Sequence, residues 1–240
     1  MQVRVGTVGG RMVVAAALAA VLGGCAGSAD SDGKKSASAS ASAEGSAAGG
    51  AGAKGGAAPA GARIGGAGSA CELPVSFNVA KRWKAKSIDA EKELAKASKS
   101  EDGDLSGALA EAFLRQGPVT AACEIDAKPA GNIGFLRVWT GKPGEPGTAS
   151  ADSVLRAFVA AEDNVSKEKY RPVKTGGGLD AVEVEYLYTS KLLEETKKER
   201  AFAVSTPQGS VVLHLGGMDT QEHEEMLPAY ELAKQTLMLS

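Results

Sequence analysis

Ala181-Val-Glu-Val-Glu-Tyr-Leu-Tyr-Thr189 decides the fold class. Its side chains alternate, with Val182, Val184, Tyr186 and Tyr188 on one face and Glu183 and Glu185 on the other. That two-residue period predicts an antiparallel strand with one solvated face. Working outward, residues 201–205 and 210–215 flank Thr206-Pro-Gln-Gly209, whose Pro and Gly suit a tight turn. On the other side, residues 171–175 reach the strand through Gly176-Gly-Gly178. No Lys-Ser/Thr follows these glycines, so they read as a hairpin turn and not as a phosphate loop. The four segments make an antiparallel meander. Residues 191–200 mix charge signs and fit either a long hairpin end or a short helix.

After the meander, Asp219-Thr-Gln-Glu222 resembles a capping box that opens a helix to about Met238. Met226, Tyr230, Ala233 and Leu237 form its apolar stripe, and Pro228 is placed to kink it. Upstream, residues 74–79 alternate as a strand followed by Trp83, and 87–100 read as a polar helix. From Asp104 a better helix, with Leu105, Leu109 and Phe113 on one face, runs to Gly117-Pro118. Residues 119–125 and 133–140 are strands joined by Pro129-Ala-Gly-Asn132, and a helix follows over about 150–164. Strands joined by short turns, with helices at separate points, predict an α+β fold: an antiparallel sheet flanked by helices in one domain over 71–240.

The chain has 240 residues, with 27 Lys and Arg against 29 Asp and Glu, 31 Gly and 3 Cys. This balance excludes a nucleic-acid binder driven by bulk positive charge, and so few cysteines exclude a disulfide-dense miniprotein. Arg4 and Arg11 are the only charges before Asp30, and an unbroken apolar run spans 12–22. That run is about half of the roughly 20 residues a membrane span needs, so 1–24 reads as a secretory signal peptide. It closes on Leu22-Gly23-Gly24-Cys25, which resembles the lipobox of bacterial lipoproteins. The resemblance implies cleavage before Cys25 and a diacylglyceryl thioether on its thiol. The protein would then be anchored through lipid at the extracytoplasmic face of the cell membrane.

Residues 26–70 hold 16 Ala, 12 Gly and 8 Ser, no aromatic residue and one large aliphatic, Ile64. Such a stretch buries too little apolar surface to offset its conformational entropy, so 25–70 is expected to be a lipidated cysteine and a disordered tether. Glycosylation of the Ser-Ala alternation at 36–42 stays open beside a plain solvated spacer. Residues 71–240 carry 21 basic and 26 acidic side chains and gain no long-range attraction to an anionic bilayer. With Cys25 taken by lipid, Cys71 and Cys123 form one even pair in an oxidising compartment, which predicts a disulfide. Closing a loop of about 50 residues is worth roughly 4 kcal/mol in the chain-entropy model.

The strand Val75-Ser-Phe-Asn-Val79 followed by Trp83, then helix, strands, helix, meander and C-terminal helix, is similar to the PsbP-like fold and to the actinobacterial LpqN and LpqT lipoproteins placed in it. The resemblance covers 71–240. It implies an α/β/α sandwich and roles in docking to proteins, without a shared catalytic constellation.

Chemistry is thinly marked. His214 sits in Val211-Val-Leu-His-Leu215 and reads as a hydrogen-bonded structural histidine, whereas His223 among Glu222, Glu224 and Glu225 reads as part of a solvated face. No His-x-x-x-His or Glu-x-x-His pair supports a metal site, and no Gly-x-Ser-x-Gly elbow supports a nucleophile. No catalytic residue, metal or cofactor is therefore expected. Glu183 and Glu185 fit a solvated sheet face, with a shallow acidic groove as the other reading. The candidate interaction residues are Trp139 with Arg137, which share a strand face with Ile133 and Phe135, and the apolar pair Leu192 and Leu193.

These readings lead to an interaction module that docks a protein partner at the membrane's outer face. A carrier or sensor of a small apolar or envelope-derived ligand is the alternative, with an enzyme last. Docking predicts an exposed apolar patch without a deep pocket, and a carrier predicts a cavity of a few hundred cubic ångströms. Cys25→Ala should release the protein from the membrane fraction after a high-salt wash, with the fold intact. Retention after the wash would remove the lipid assignment.

Overall fold

A computed structural model describes residues 56–100, 103–142, 150–191 and 193–240. The leader, Cys25, residues 26–55 and Leu192 lie outside the described residues. The elements in chain order are β1 (Ala60–Ile64), β2 (Val75–Ala80), β3 (Lys84–Ser87), α1 (Ala90–Ala97), α2 (Gly103–Leu114), β4 (Arg115–Gln116), β5 (Val119–Asp126), β6 (Gly134–Thr140) and α3 (Ala151–Ala160). They continue with β7 (Val165–Lys174), β8 (Asp180–Ser190), β9 (Glu195–Thr206), β10 (Gly209–Gly217), α4 (Thr220–Thr236) and β11 (Met238–Leu239).

The strictly alternating run is β8, and the meander around it is β7-β8-β9-β10. The main sheet runs β3-β5-β6-β10-β9-β8-β7, with β4 beside β5, and all its pairings are antiparallel. A smaller sheet, β1-β2-β11, lies on one of its faces together with α4. There Phe77 and Val75 of β2, Met226 and Tyr230 of α4 and Leu237 just after it close over Val138, Phe202 and Leu213. On the opposite face α3 buries Leu155 and Phe158 against Val184, Ala203 and Val212. The result is an α+β fold with helices on both faces of an antiparallel sheet.

Residues 191–200 resolve as the β8–β9 hairpin end and not as a helix: Ser190 pairs with Glu195. The expectation of a solvated β8 face fails, because α4 covers it. Glu183 is 1% exposed and accepts from Lys234 Nζ at 2.7 Å and Tyr230 OH at 3.0 Å, and it pairs with Arg171. Burial alone would raise its pKa; Lys234 and Arg171 outweigh burial and hold it below the usual carboxylate range.

The turn Gly176-Gly-Gly178 has a second task. The Gly176 and Gly177 N–H groups donate to the Lys234 and Leu237 carbonyls at 3.1 and 2.9 Å, satisfying orphan acceptors at the end of α4. A Cβ on Gly176 would stand 1.6 Å from the Gln235 carbonyl oxygen, so only glycine allows this approach. At the other end of α4, Asp219 accepts from the Glu222 N–H at 2.8 Å as an N-cap. Glu222 does not complete the capping box; its carboxylate accepts the Ile133 N–H at 3.1 Å and so ties the helix to the β5–β6 connection.

Two further expectations are corrected, for the tether and for His223, and the apolar face of α2 is located. The tether does not extend to 70: β1 pairs with β2, Ile64 is 2% exposed, and the Arg63 guanidinium bonds Ser76 Oγ at 2.9 Å. Strand pairing draws on backbone groups, which an Ala/Gly stretch has in full, and small side chains let β1 lie close against β2. Helix α2 turns its small face inward. Ser106, Gly107, Ala110 and Leu114 are half-buried, while Leu105, Leu109 and Phe113 stand 65%, 52% and 65% exposed. His223 is not on a solvated face but is buried, and its Nδ1 has no hydrogen-bond partner.

Cys71 and Cys123 form a disulfide with their Cα atoms 5.9 Å apart, tying the segment before β2 to β5.

Burial pushes the His223 pKa down to about 4. The unfolded chain takes up this proton near pH 6.5, so folding stability should fall as pH drops through the window between about 6.5 and 4. Urea unfolding at pH 7 and pH 5 should show a loss of about 2 kcal/mol from this group, and His223→Gln should lose correspondingly less.

Candidate functional site

Helix α3 covers only part of its face of the sheet. Beyond Phe158 the strands continue uncovered, and the exposed half forms a trough. Its floor is Phe135, Arg137 and Trp139 of β6, His214 and Gly216 of β10, Lys197 and Glu199 of β9 and Tyr188 of β8. The outer chamber has a cavity volume of about 430 Å³ and opens between Ile133, Leu193 and Met218. An inner chamber of about 240 Å³ runs under Ala112 and Phe113 of α2. The two share Phe135, Tyr188, Lys197, Gly216 and Gly217 and form one continuous depression.

Sheet geometry explains why these side chains meet. Antiparallel pairing sets Gly216 opposite Phe135, and a Cβ on Gly216 would lie 3.0 Å from the Phe135 ring. Glycine here lets the ring lie across β10. Arg137 bonds Glu124 across β5–β6 through Nε at 3.2 Å and through Nη2, and its guanidinium carbon sits 4.6 Å from the Phe135 ring centre and 5.5 Å from Trp139. Trp139 in turn meets Phe158 edge-on at 5.5 Å, closing the inner end.

Along the floor of the inner chamber runs a chain of polar groups. Tyr186 OH donates to Glu162 at 2.8 Å and lies 3.2 Å from His214 Nε2. His214 Nε2 bonds Glu199, and Lys197 Nζ donates to Glu199 Oε1 and the Gly217 carbonyl, each at 2.7 Å. Burial would raise the Glu199 pKa, but His214 and Lys197 outweigh it and hold the carboxyl below its ordinary value. Glu162, with less compensation for its burial, is pushed up. Burial, reinforced by Glu199 and Glu162, raises the Tyr186 phenol well above its ordinary pKa and keeps it a neutral donor.

The sequence-predicted residues fall as follows. Arg137, Trp139 and Leu193 all line the trough, whereas Leu192 lies outside the described residues. Trp139 is buried and not presented to a partner; its indole N–H has no hydrogen-bond partner. His214 is the hydrogen-bonded histidine expected from its strand. Lys197 and Glu199 were missed as site residues. Their Lys-x-Glu spacing puts both on one strand face, but this shows only once 191–200 is assigned to a hairpin. Tyr186 and Tyr188 were visible as a face without a known neighbour. Among the described residues, no group of three or more His, Cys, Asp or Glu is placed to hold a metal ion, and no helix is long and apolar enough to cross a membrane.

An α+β domain with a mostly apolar surface trough and a paired polar network along its inner floor is the class these features define. The family described as uncharacterised lipoprotein matches residues 39–237, and the chain belongs to it. Membership of a lipoprotein family implies anchoring to a membrane of the envelope. No curated protein matches the chain.

Breaking a buried ion pair by removing one partner strands the other charge. Glu199→Gln leaves Lys197 and His214 without their carboxylate and should lower stability by about 3 kcal/mol, read as a drop in the urea midpoint at neutral pH. An unchanged midpoint would show that the network contributes no net stability.

Proposed function

We propose that this domain is the ligand-binding head of a lipoprotein anchored through Cys25 at the extracytoplasmic face of the cell membrane. In this reading it carries or senses a small, mostly apolar molecule drawn from the envelope. The observation that carries the reading is the trough: its outer chamber, about 430 Å³, lies within the usual range of ligand sites, with Ile133, Phe135, Tyr188, Leu193 and Met218 as apolar walls beside charged groups such as Glu124, Lys128 and Lys197. The disulfide suits an oxidising compartment and supports the extracytoplasmic placement. The helix–sheet–helix layering is the arrangement that a PsbP-like domain would have, and we place the chain with those lipoproteins as part of the same proposal.

We read the site as binding and not reacting. The His214 imidazole and Glu199 carboxylate that could serve as acid and base line the inner chamber, but each is already held by protein partners. Docking of a protein partner, the first expectation from the sequence, keeps one observation in its favour, the exposed stripe Leu105, Leu109 and Phe113 on α2.

Native mass spectrometry tests the proposal on protein released from its own host's membranes by cleavage before Gly56. A reproducible small-molecule adduct is expected, and Gly216→Leu, which drives a side chain into the Phe135 ring, should abolish it. A bare protein returns the assignment to protein docking.

A further inference from the structure

We infer that the trough holds the chain of a long-chain amphiphile, a molecule with one extended alkyl or acyl chain and a compact polar end. This deepens the ligand reading above and rests on it. The shape is elongated: from Ile133 to Trp139 the floor follows six residue steps of extended chain, about 20 Å. A compact metabolite would leave most of that length empty.

Half of the large exposed apolar side chains among the described residues line this depression. Of the eight large apolar side chains exposed among the described residues, Ile133, Leu193 and Met218 ring the outer mouth. Leu105, Leu109 and Phe113 stand on α2, and Phe113 itself lines the inner chamber. Leu105 and Leu109 stand farther along α2, and Met238 and Leu239 lie at the C-terminal strand. Scattered apolar residues are ordinary on a surface, but four lining one trough, Ile133, Leu193, Met218 and Phe113, mark where an apolar partner enters and leaves.

The charges of the floor point the same way. Arg137 is bonded to Glu124, Lys197 and His214 to Glu199, and Glu162 to Tyr186. Along the inner floor a ligand recognised by its own charge would have to break one of these pairs and leave the other member unmatched, whereas Asp126, Lys128 and Glu195 offer charge only in the outer chamber. An alkyl chain lying over Phe135 and Tyr188 breaks none. The polar end then sits at the wetter rim, where Lys128 and Glu195 remain exposed.

The test is a titration of lysophosphatidylcholines of increasing chain length, kept below their micelle-forming concentrations. The protein is the unlipidated chain from Ala26 to Ser240, which contains the compact unit Gly49–Ser240 and every described residue. Affinity should tighten about fourfold for each added methylene while the chain still lies within the trough. The triple variant Ile133→Ser, Leu193→Ser, Met218→Ser should bind at least tenfold more weakly, with an unchanged urea midpoint because all three side chains are exposed. The control Met238→Ser, Leu239→Ser, equally exposed but outside the trough, should bind as the parent does.

Binding that ignores chain length, or that falls equally in both variants, overturns the inference. A dimer that the triple variant dissociates would assign the apolar ends to a second copy and overturn it as well. A mass-spectrometric adduct without an alkyl chain, together with a flat titration, removes this inference and leaves the ligand reading standing. A bare protein and a flat titration remove both.

Discussion

The length mismatch between strand and helix is the constraint on which the rest of the structure depends. Strand β8 has 11 residues and β9 has 12, so the meander extends for about 36 Å, whereas α3 has 10 residues and reaches about 15 Å. One helix of that size can shield less than half of the strand length. The remaining face must be solvated, covered by something else, or hollow. On the opposite face α4 has 17 residues, about 26 Å, and with the β1-β2-β11 sheet it covers nearly the whole span. The asymmetry between the two faces is what creates the trough, and the aromatic character of Tyr186, Tyr188, Phe135 and Trp139 is what keeps it from being an ordinary wet surface.

Buried charge appears on both faces of β8–β9 and follows one rule. Glu183 under α4 meets Lys234, Tyr230 and Arg171; Glu199 on the trough side meets Lys197 and His214. Each acid meets a cation, Lys234 of the covering helix and Arg171 of β7 for Glu183 and Lys197 of its own strand for Glu199, with His214 of β10 as a further hydrogen-bond partner. A one-residue slip of β9 against β8 would send Glu199 to the α4 face and Arg200 to the trough, stranding both. Buried pairs of this kind are weak evidence of net stability, but here they distinguish the native register from its neighbours, because the hydrophobic pattern of an Ala-rich strand such as Ala201-Phe-Ala-Val204 does so less sharply.

Much of the fold was legible because local signals agreed with it. The alternation of β8, the Pro-Gln-Gly turn before β10 and the Asp219 cap each depend on a few adjacent residues, and the structure keeps all three. What was illegible depended on partners distant in sequence. Glu183 has the same identity whether water or Lys234 lies above it, so period alone assigned it to solvent. The stretch before Cys71 has a composition that argues disorder, yet β2 offers a free edge and Ile64 fills a slot in the core. Helix α2 carries the apolar stripe that its period announced, and the structure adds that the stripe faces outward. An apolar period shows that a face will be covered without saying whether by this chain.

The site was half visible for the same reason. Arg137 and Trp139 announced themselves as a cation beside an indole on one strand, but their partners Glu124, Gly216 and Lys197 come from β5, β10 and β9, and only register brings these together. Gly216 is the most telling of them. In the sequence it is one of a Gly-Gly pair at a strand end, where a simple stop would suffice. In the sheet it faces Phe135, and its missing side chain lets an aromatic ring lie flat where a β-branched residue would have lifted it into the cavity. A floor flattened by glycine, with its inner polar groups paired to one another, leaves charge selection to the outer rim at Asp126, Lys128 and Glu195. Selection along the inner floor then falls to shape and to the apolar length that the walls can cover.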